Sequence, residues 1–133
     1  MPAPSAGISM RRLNVLLVED EADARALYGY MLALAGHRVK AVSNVLQAFA
    51  EIQANRPDLI VTDIAMPIIS GLDLITAIRS NDELADLPVV AITSFGENFR
   101  EQARAAGAAD AIDKPTEIKR MRQVIDAAMS GTR

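Results

Sequence analysis

The sequence predicts an α/β fold, a parallel five-stranded sheet with helices on both faces. Two observations carry that prediction. Short apolar runs alternate five times with longer stretches in which apolar residues recur at helical spacing, and a strand–helix repeat of this kind builds a parallel sheet covered on both sides. In addition, Glu19, Asp20, Asp63, Thr93 and Lys114 stand at or just beyond the ends of four different apolar runs. The carboxyl edge of such a sheet is where α/β proteins bind their ligands.

Each element follows from local pattern. Residues 13–18 are an apolar strand, after which Ala24, Leu27, Tyr28, Met31 and Leu32 recur at helical spacing and Gly36 supplies a helix stop. Residues 38–42 are a short second strand. Asn44, with Gln47 three residues on, resembles a capping box ahead of the stripe Leu46, Phe49 and Ile52. Pro57 lies beyond that helix, and residues 59–62 are the third strand. After the Met66-Pro67 turn, Gly71 opens a helix with Leu72, Ile75 and Ile78 on its core face. Pro88 starts the fourth strand, residues 89–92. An Ala-rich helix then runs to about Ala106, with Gly107 as its stop, and residues 109–112 are the fifth strand. The last helix turns Ile118, Met121, Ile125 and Ala128 inward and Lys119, Arg120 and Arg122 outward.

Composition narrows the class. A chain of 133 residues fits one domain, and a core of that size buries roughly two-thirds of the unfolded surface. Half of the residues are hydrophobic, so a packed core is expected. The net charge of −3 argues against nucleic-acid binding, which calls for a clustered basic surplus. With no Cys there is no disulfide, zinc–thiolate site or thiol nucleophile. No apolar stretch reaches the ~20 residues that span a bilayer. Residues 1–12 read as a flexible leader, rich in Pro, Ser and Gly and without a signal-peptide core, with Met10 a second potential start. Residues 130–133 read as a tail, and a cytoplasmic protein is expected. His37, in the turn after Gly36, receives no role, and Arg11-Arg12 and the basic group of the last helix read as solvated charges.

The chemistry lies at the rim. An isolated Glu19-Asp20 pair is an ordinary helix-start patch, favourable near a helix dipole. Asp63 changes that reading, because carboxylates brought together repel unless protons or a cation neutralise them. Oxygen donors without His or Cys suit Mg²⁺. Asp63 is then a candidate nucleophile, since carboxylates attack phosphoryl groups to form aspartyl-phosphates. Lys114 offers a compact positive charge and Thr93 a hydroxyl donor for phosphoryl oxygens.

These residues lie in five ordered motifs. They are Val18-Glu19-Asp20-Glu21, the run from Asp58 to Pro67, Ser70-Gly71-Leu72-Asp73-Leu74, Pro88 to Thr93, and Gly107-Ala108-Ala109-Asp110 leading to Asp113-Lys114-Pro115. In them the chain, from residue 13 to 129, resembles the receiver domains of bacterial two-component response regulators. The resemblance implies a flavodoxin-like (βα)5 domain with strand order 2-1-3-4-5. It implies that Asp63 accepts a phosphoryl group from a sensor histidine kinase or a histidine phosphotransfer protein. Glu19, Asp20, Asp63 and the backbone carbonyl of Ala65 would hold Mg²⁺, and Thr93 and Lys114 would bind the phosphoryl oxygens. Partner docking or a homodimer would use the face of the last two helices.

Departures from the family pattern touch the switch. Ala111 stands where receivers carry Tyr or Phe, so the usual inward swing of that ring has no counterpart. Thr116 replaces a Phe, Ser94 a small apolar residue, and bulky Phe95 follows it. In the segment after Pro67, Ile69 is expected in the core and Ile68 on the surface. Other classes fit less well. An aspartate-nucleophile phosphatase needs a second Asp two residues after the first, and Asp20 is followed by Glu21 and Ala22. A flavin carrier needs a Ser/Thr/Gly-rich phosphate loop where this chain has Glu21-Ala22-Asp23. A receiver excised from a hybrid kinase or larger regulator is the nearer alternative.

Overall fold

The computed structural model describes residues 11–130. Most of the expected leader and tail therefore lies outside the described residues. Ten elements alternate: β1 (Asn14–Val18), α1 (Ala22–Leu34), β2 (Arg38–Val42), α2 (Val45–Ala54), β3 (Leu59–Asp63), α3 (Gly71–Ser80), β4 (Val89–Thr93), α4 (Glu97–Ala106), β5 (Asp110–Asp113) and α5 (Ile118–Met129). All strand pairs are parallel and the order is β2-β1-β3-β4-β5. Among the described residues no helix is long and apolar enough to cross a membrane.

Two cores sandwich the sheet. On one face α2, α3 and α4 press Val45, Ala48, Ile52, Leu74, Ile75, Ile78 and Ala103 onto Leu16, Val18, Ile60, Val89, Ala91 and Ala111. On the other, α1 and α5 cover Val15, Leu17, Val61, Val90, Ile92 and Ile112 with Tyr28, Met31, Leu32, Met121, Val124 and Ile125. Every residue of β3 and β4 is buried, which is why these strands read as apolar runs up to the polar residues that end them, Thr62 and Asp63 on β3 and Thr93 on β4. The edge strand β2 instead exposes Arg38 and Lys40, charges that discourage pairing with another chain.

The structure revises several local expectations. Leu27 and Leu46, placed on core stripes by spacing, are 50% and 69% exposed. The α2 stripe is shifted by one residue, so Val45 and Ala48 fill the core with Ile52 while Phe49 is only partly buried. Leu72 is likewise only partly buried, and Leu74 takes the core position on α3. Asn44 does cap α2 through the Gln47 N–H, but the Gln47 side chain accepts from the Ser43 backbone N–H rather than returning to Asn44. The reciprocal capping box sits elsewhere, between Ser70 and Asp73 at the start of α3. Ile69 is partly buried against the core, and Ile68 is fully exposed with a positive φ of 69°. His37 Nδ1 accepts the Leu13 backbone N–H at 3.2 Å, tying the α1–β2 turn to the start of β1. That is a structural role where none was expected.

Candidate functional site

Register brings the strand ends to one level. Val18 is opposite Thr62, Asp63 opposite Ile92, and Thr93 opposite Asp113. The residues that close β1, β3, β4 and β5 therefore meet at one rim, and the sequence-predicted set assembles there. Ala65 lies in the loop just after Asp63, partly buried.

Glu19, Asp20 and Asp63 each offer an oxygen within 4.8 Å of the others. Glu19 is fully buried and Asp63 is 6% exposed, whereas Asp20 faces solvent. Lys114 Nζ bonds Glu19 Oε1 at 2.6 Å and lies 3.4 Å from Asp63 Oδ2. Burial pushes the carboxyls of Glu19 and Asp63 above their ordinary range, with the Lys114 ammonium pulling the other way. Burial would lower Lys114, but its bond to Glu19 and the charge of Asp63 raise it instead. The neighbours thus favour the charged form of Lys114 against its burial, while burial makes both carboxyls harder to ionise. A group of three carboxylates with no nitrogen or sulfur donor fits a hard cation such as Mg²⁺.

The supporting bonds hold this cluster in place. Arg25 donates to the backbone carbonyls of Glu19 at 2.9 Å and Asp20 at 3.3 Å, and the Glu19 carboxylate accepts the Glu21 N–H. The Thr93 hydroxyl, fully buried, accepts the Phe95 N–H at 3.1 Å, and its carbonyl accepts the Lys114 N–H at 2.8 Å. Thr93 is thereby bonded both to the loop into α4 and to the end of β5. Gly71 closes the floor, donating its N–H to the Ile64 carbonyl at 2.8 Å. A Cβ at Gly71 would stand 2.1 Å from the Asp63 carbonyl oxygen.

Two residues near the site escaped sequence reasoning. Arg25 lay inside a helix whose signal was only its apolar face. Tyr28, read as a core residue, has its ring 5.6 Å from Lys114 Nζ. Neither proximity leaves a mark in local spacing. On the α4 side, Arg100 pairs with Asp113, the residue before Lys114, and with Glu97 at 2.5 Å. A groove of about 410 Å³ opens beside Ala111, bordered by Arg100, Arg104, Thr116 and Arg120. Phe95, 61% exposed, packs against Phe99 with ring centroids 5.3 Å apart.

Comparison with known proteins agrees with this geometry. Residues 15–126 match the family described as response regulator receiver domain. The polar-differentiation response regulator DivK of Brucella anthropi is 32% identical over 113 residues, covering 84% of this chain and 92% of DivK. The phosphate regulon transcriptional regulatory protein PhoB of Pseudomonas aeruginosa is 34% identical over 103 residues, 77% of this chain but only 45% of PhoB. A solved receiver domain of a signal transduction histidine kinase from Syntrophus aciditrophicus superposes with a TM-score of 0.81 at 25% identity, over 91% of this chain and 92% of that one. A sheet of order β2-β1-β3-β4-β5, an acidic rim and a match over residues 15–126 lead to one conclusion: the chain belongs to the response regulator receiver domain family.

Proposed function

We propose that Asp63 is the phosphoacceptor of a two-component relay and takes its phosphoryl group from a sensor histidine kinase or a histidine phosphotransfer protein. The observation that carries this reading is the placement of Asp63. It ends a fully buried strand, sits within 4.8 Å of two further carboxylates, and has an ammonium 3.4 Å away. A carboxylate oxygen of Asp63 forms the new P–O bond while the P–N bond of the donor's phosphohistidine breaks, and the imidazole keeps that electron pair. Glu19, Asp20, Asp63 and the Ala65 carbonyl would hold Mg²⁺, which when bound supplies positive charge for the phosphoryl oxygens. Lys114, already drawn to the acids, turns its charge toward a phosphoryl oxygen. Thr93 donates its hydroxyl proton to another. The chain accepts a group and switches, rather than turning over a substrate as a phosphatase does.

The switch then runs through Thr93. Drawing its hydroxyl toward a phosphoryl oxygen disturbs the bond from the Phe95 N–H, and with it the loop into α4. Ala111 has no ring to follow. The α4–β5 link is ionic instead, through Arg100 to Asp113. The face of α4 and α5 is the output surface, for a protein partner or a second copy of the chain. The same site serves a receiver that stands alone or one joined to further domains, and we place it in the cytoplasm. Incubation with Mg²⁺ and acetyl phosphate tests the proposal. The wild type should gain about 80 Da, the mass of one acid-labile phosphoryl group. Asp63→Asn should gain nothing, and excess EDTA should stop uptake by the wild type. Labelling of Asp63→Asn at another residue would refute the assignment.

A further inference from the structure

Lys114 sits in the turn between the end of β5 at Asp113 and the start of α5 at Ile118. Its ammonium is held by Glu19 and Asp63. These anchors are the two groups whose charge is taken up when the proposed site is loaded. A lysine side chain loses considerable rotamer entropy when ordered, so an anchor that persists while the acids change partners has value for a group that must be re-aimed.

Tyr28 has the right position for such an anchor. It projects from α1 into the core shared with α5, is 3% exposed, and packs among Met31, Leu32 and Ile125. Lys114 Nζ lies 5.6 Å from its ring centroid, within the ~6 Å over which an aromatic face attracts a cation. The backbone of Thr116, two residues beyond Lys114, lies near enough to the phenol oxygen to favour its ionised form. One side chain therefore lies beside both the head of Lys114 and the turn that carries it.

Resting on the reading of Asp63 as phosphoacceptor, we infer that Tyr28 is the positioning residue for Lys114. Its ring face steadies the ammonium and its hydroxyl steadies the 114–117 turn through Thr116. A phenol is neutral at physiological pH even at its ordinary value of about 10, and burial raises this one further, so the ring keeps its electron-rich face. Because α1 and α5 cover the face opposite Ala111, the inference puts the aromatic that senses the site on the other side of the sheet. The state of Lys114 would thereby reach α1 and α5 as well as α4.

Two measurements decide it. With saturating Mg²⁺, Tyr28→Leu should slow phosphorylation of Asp63 by acetyl phosphate roughly ten-fold, and Tyr28→Phe, which keeps the ring, by less than about three-fold. The chain has two Tyr and no Trp, so Tyr30→Phe, a change on the exposed side of α1, leaves Tyr28 as the only tyrosine emitter. Its fluorescence intensity should change when Mg²⁺ and beryllofluoride are added, and should not change once Asp63→Asn is introduced. Wild-type rates in Tyr28→Leu would overturn the inference. So would silent Tyr28 emission, the decisive reading if Tyr28→Leu fails to fold. Failure of the wild type to label at Asp63 would defeat the functional reading itself, before any Tyr28 variant is compared.

Discussion

Gly71→Ala tests how tightly the strand that ends in Asp63 is built into its surroundings. Gly71 has no positive φ, so nothing in its backbone conformation excludes alanine. At the first position of α3, alanine is even the better helix former, by at most about 1 kcal/mol. The obstacle is space alone. An added Cβ would stand 2.1 Å from the Asp63 carbonyl oxygen and 2.9 Å from Ile64 Cα. The first distance is about 1 Å shorter than non-bonded atoms tolerate. The colliding atoms are backbone, and they cannot rotate away. Either α3 shifts, stretching the 2.8 Å bond from the Gly71 N–H to the Ile64 carbonyl, or the end of β3 does. Overpacking of this kind costs about 1–3 kcal/mol, and a 2.1 Å approach belongs to the upper part of that range, which exceeds the helix gain. A net loss of about 1–2 kcal/mol lowers Tm by about 3–10 °C for a domain of this size. Thermal unfolding followed by circular dichroism, with acetyl phosphate labelling of the same sample below its transition, measures both consequences. The expected result is a lower Tm with slower uptake at Asp63, because its carboxylate moves with its backbone. An unchanged or higher Tm would show that the 2.1 Å approach does not constrain the strand, and the reasoning would fail.

Glu19 and Asp63 are both raised by burial from ordinary values of 4.5 and 3.8. The folded state therefore keeps these protons to higher pH than the unfolded chain. Their contribution to stability is fully present below the unfolded values and drains as pH rises through the folded ones. Asp63→Asn should accordingly raise Tm in EDTA at pH 7.5 and do so less at pH 4; a lower Tm at pH 7.5 would contradict the direction. His37 has the opposite sign. Burial lowers it from 6.5, so its contribution, present above that value, is lost as pH falls, and His37→Gln should flatten that part of the stability profile as followed by thermal unfolding. Addition of a beryllofluoride mimic should move the amide resonances of Ser94, Phe95 and Arg100 more than those of β5, and changes confined to β5 and α5 would reject the route through Thr93. The mimic should also alter self-association or partner affinity in sedimentation runs, with no duplex DNA binding below micromolar at physiological salt, because the basic groups of α5 are too few to displace many counterions.

The succession of elements was legible in the sequence for a physical reason. Strands buried on both faces, such as β3 and β4, are apolar until the rim, where Thr62, Asp63 and Thr93 end them, and the helices between them keep a 3.6-residue period. The rim positions were legible because polar residues end the apolar runs, and a parallel sheet collects strand ends on one edge. Leu27 and Leu46 show where periodicity fails, since an apolar residue at a flank of the stripe faces the core or solvent according to helix rotation, which only packing sets. The Lys114–Glu19 bond joins residues 95 apart, and no local pattern encodes its length. Tertiary structure alone decided that Arg25 would grip the carbonyls of the acidic turn, that Tyr28 would lie beside Lys114, and that α3 would approach Asp63 so closely that only glycine fits. Sequence determines which groups reach the rim because burial and chemistry act residue by residue. Their spacing, partners and tolerances arise only when separate elements pack, because those distances belong to pairs of elements.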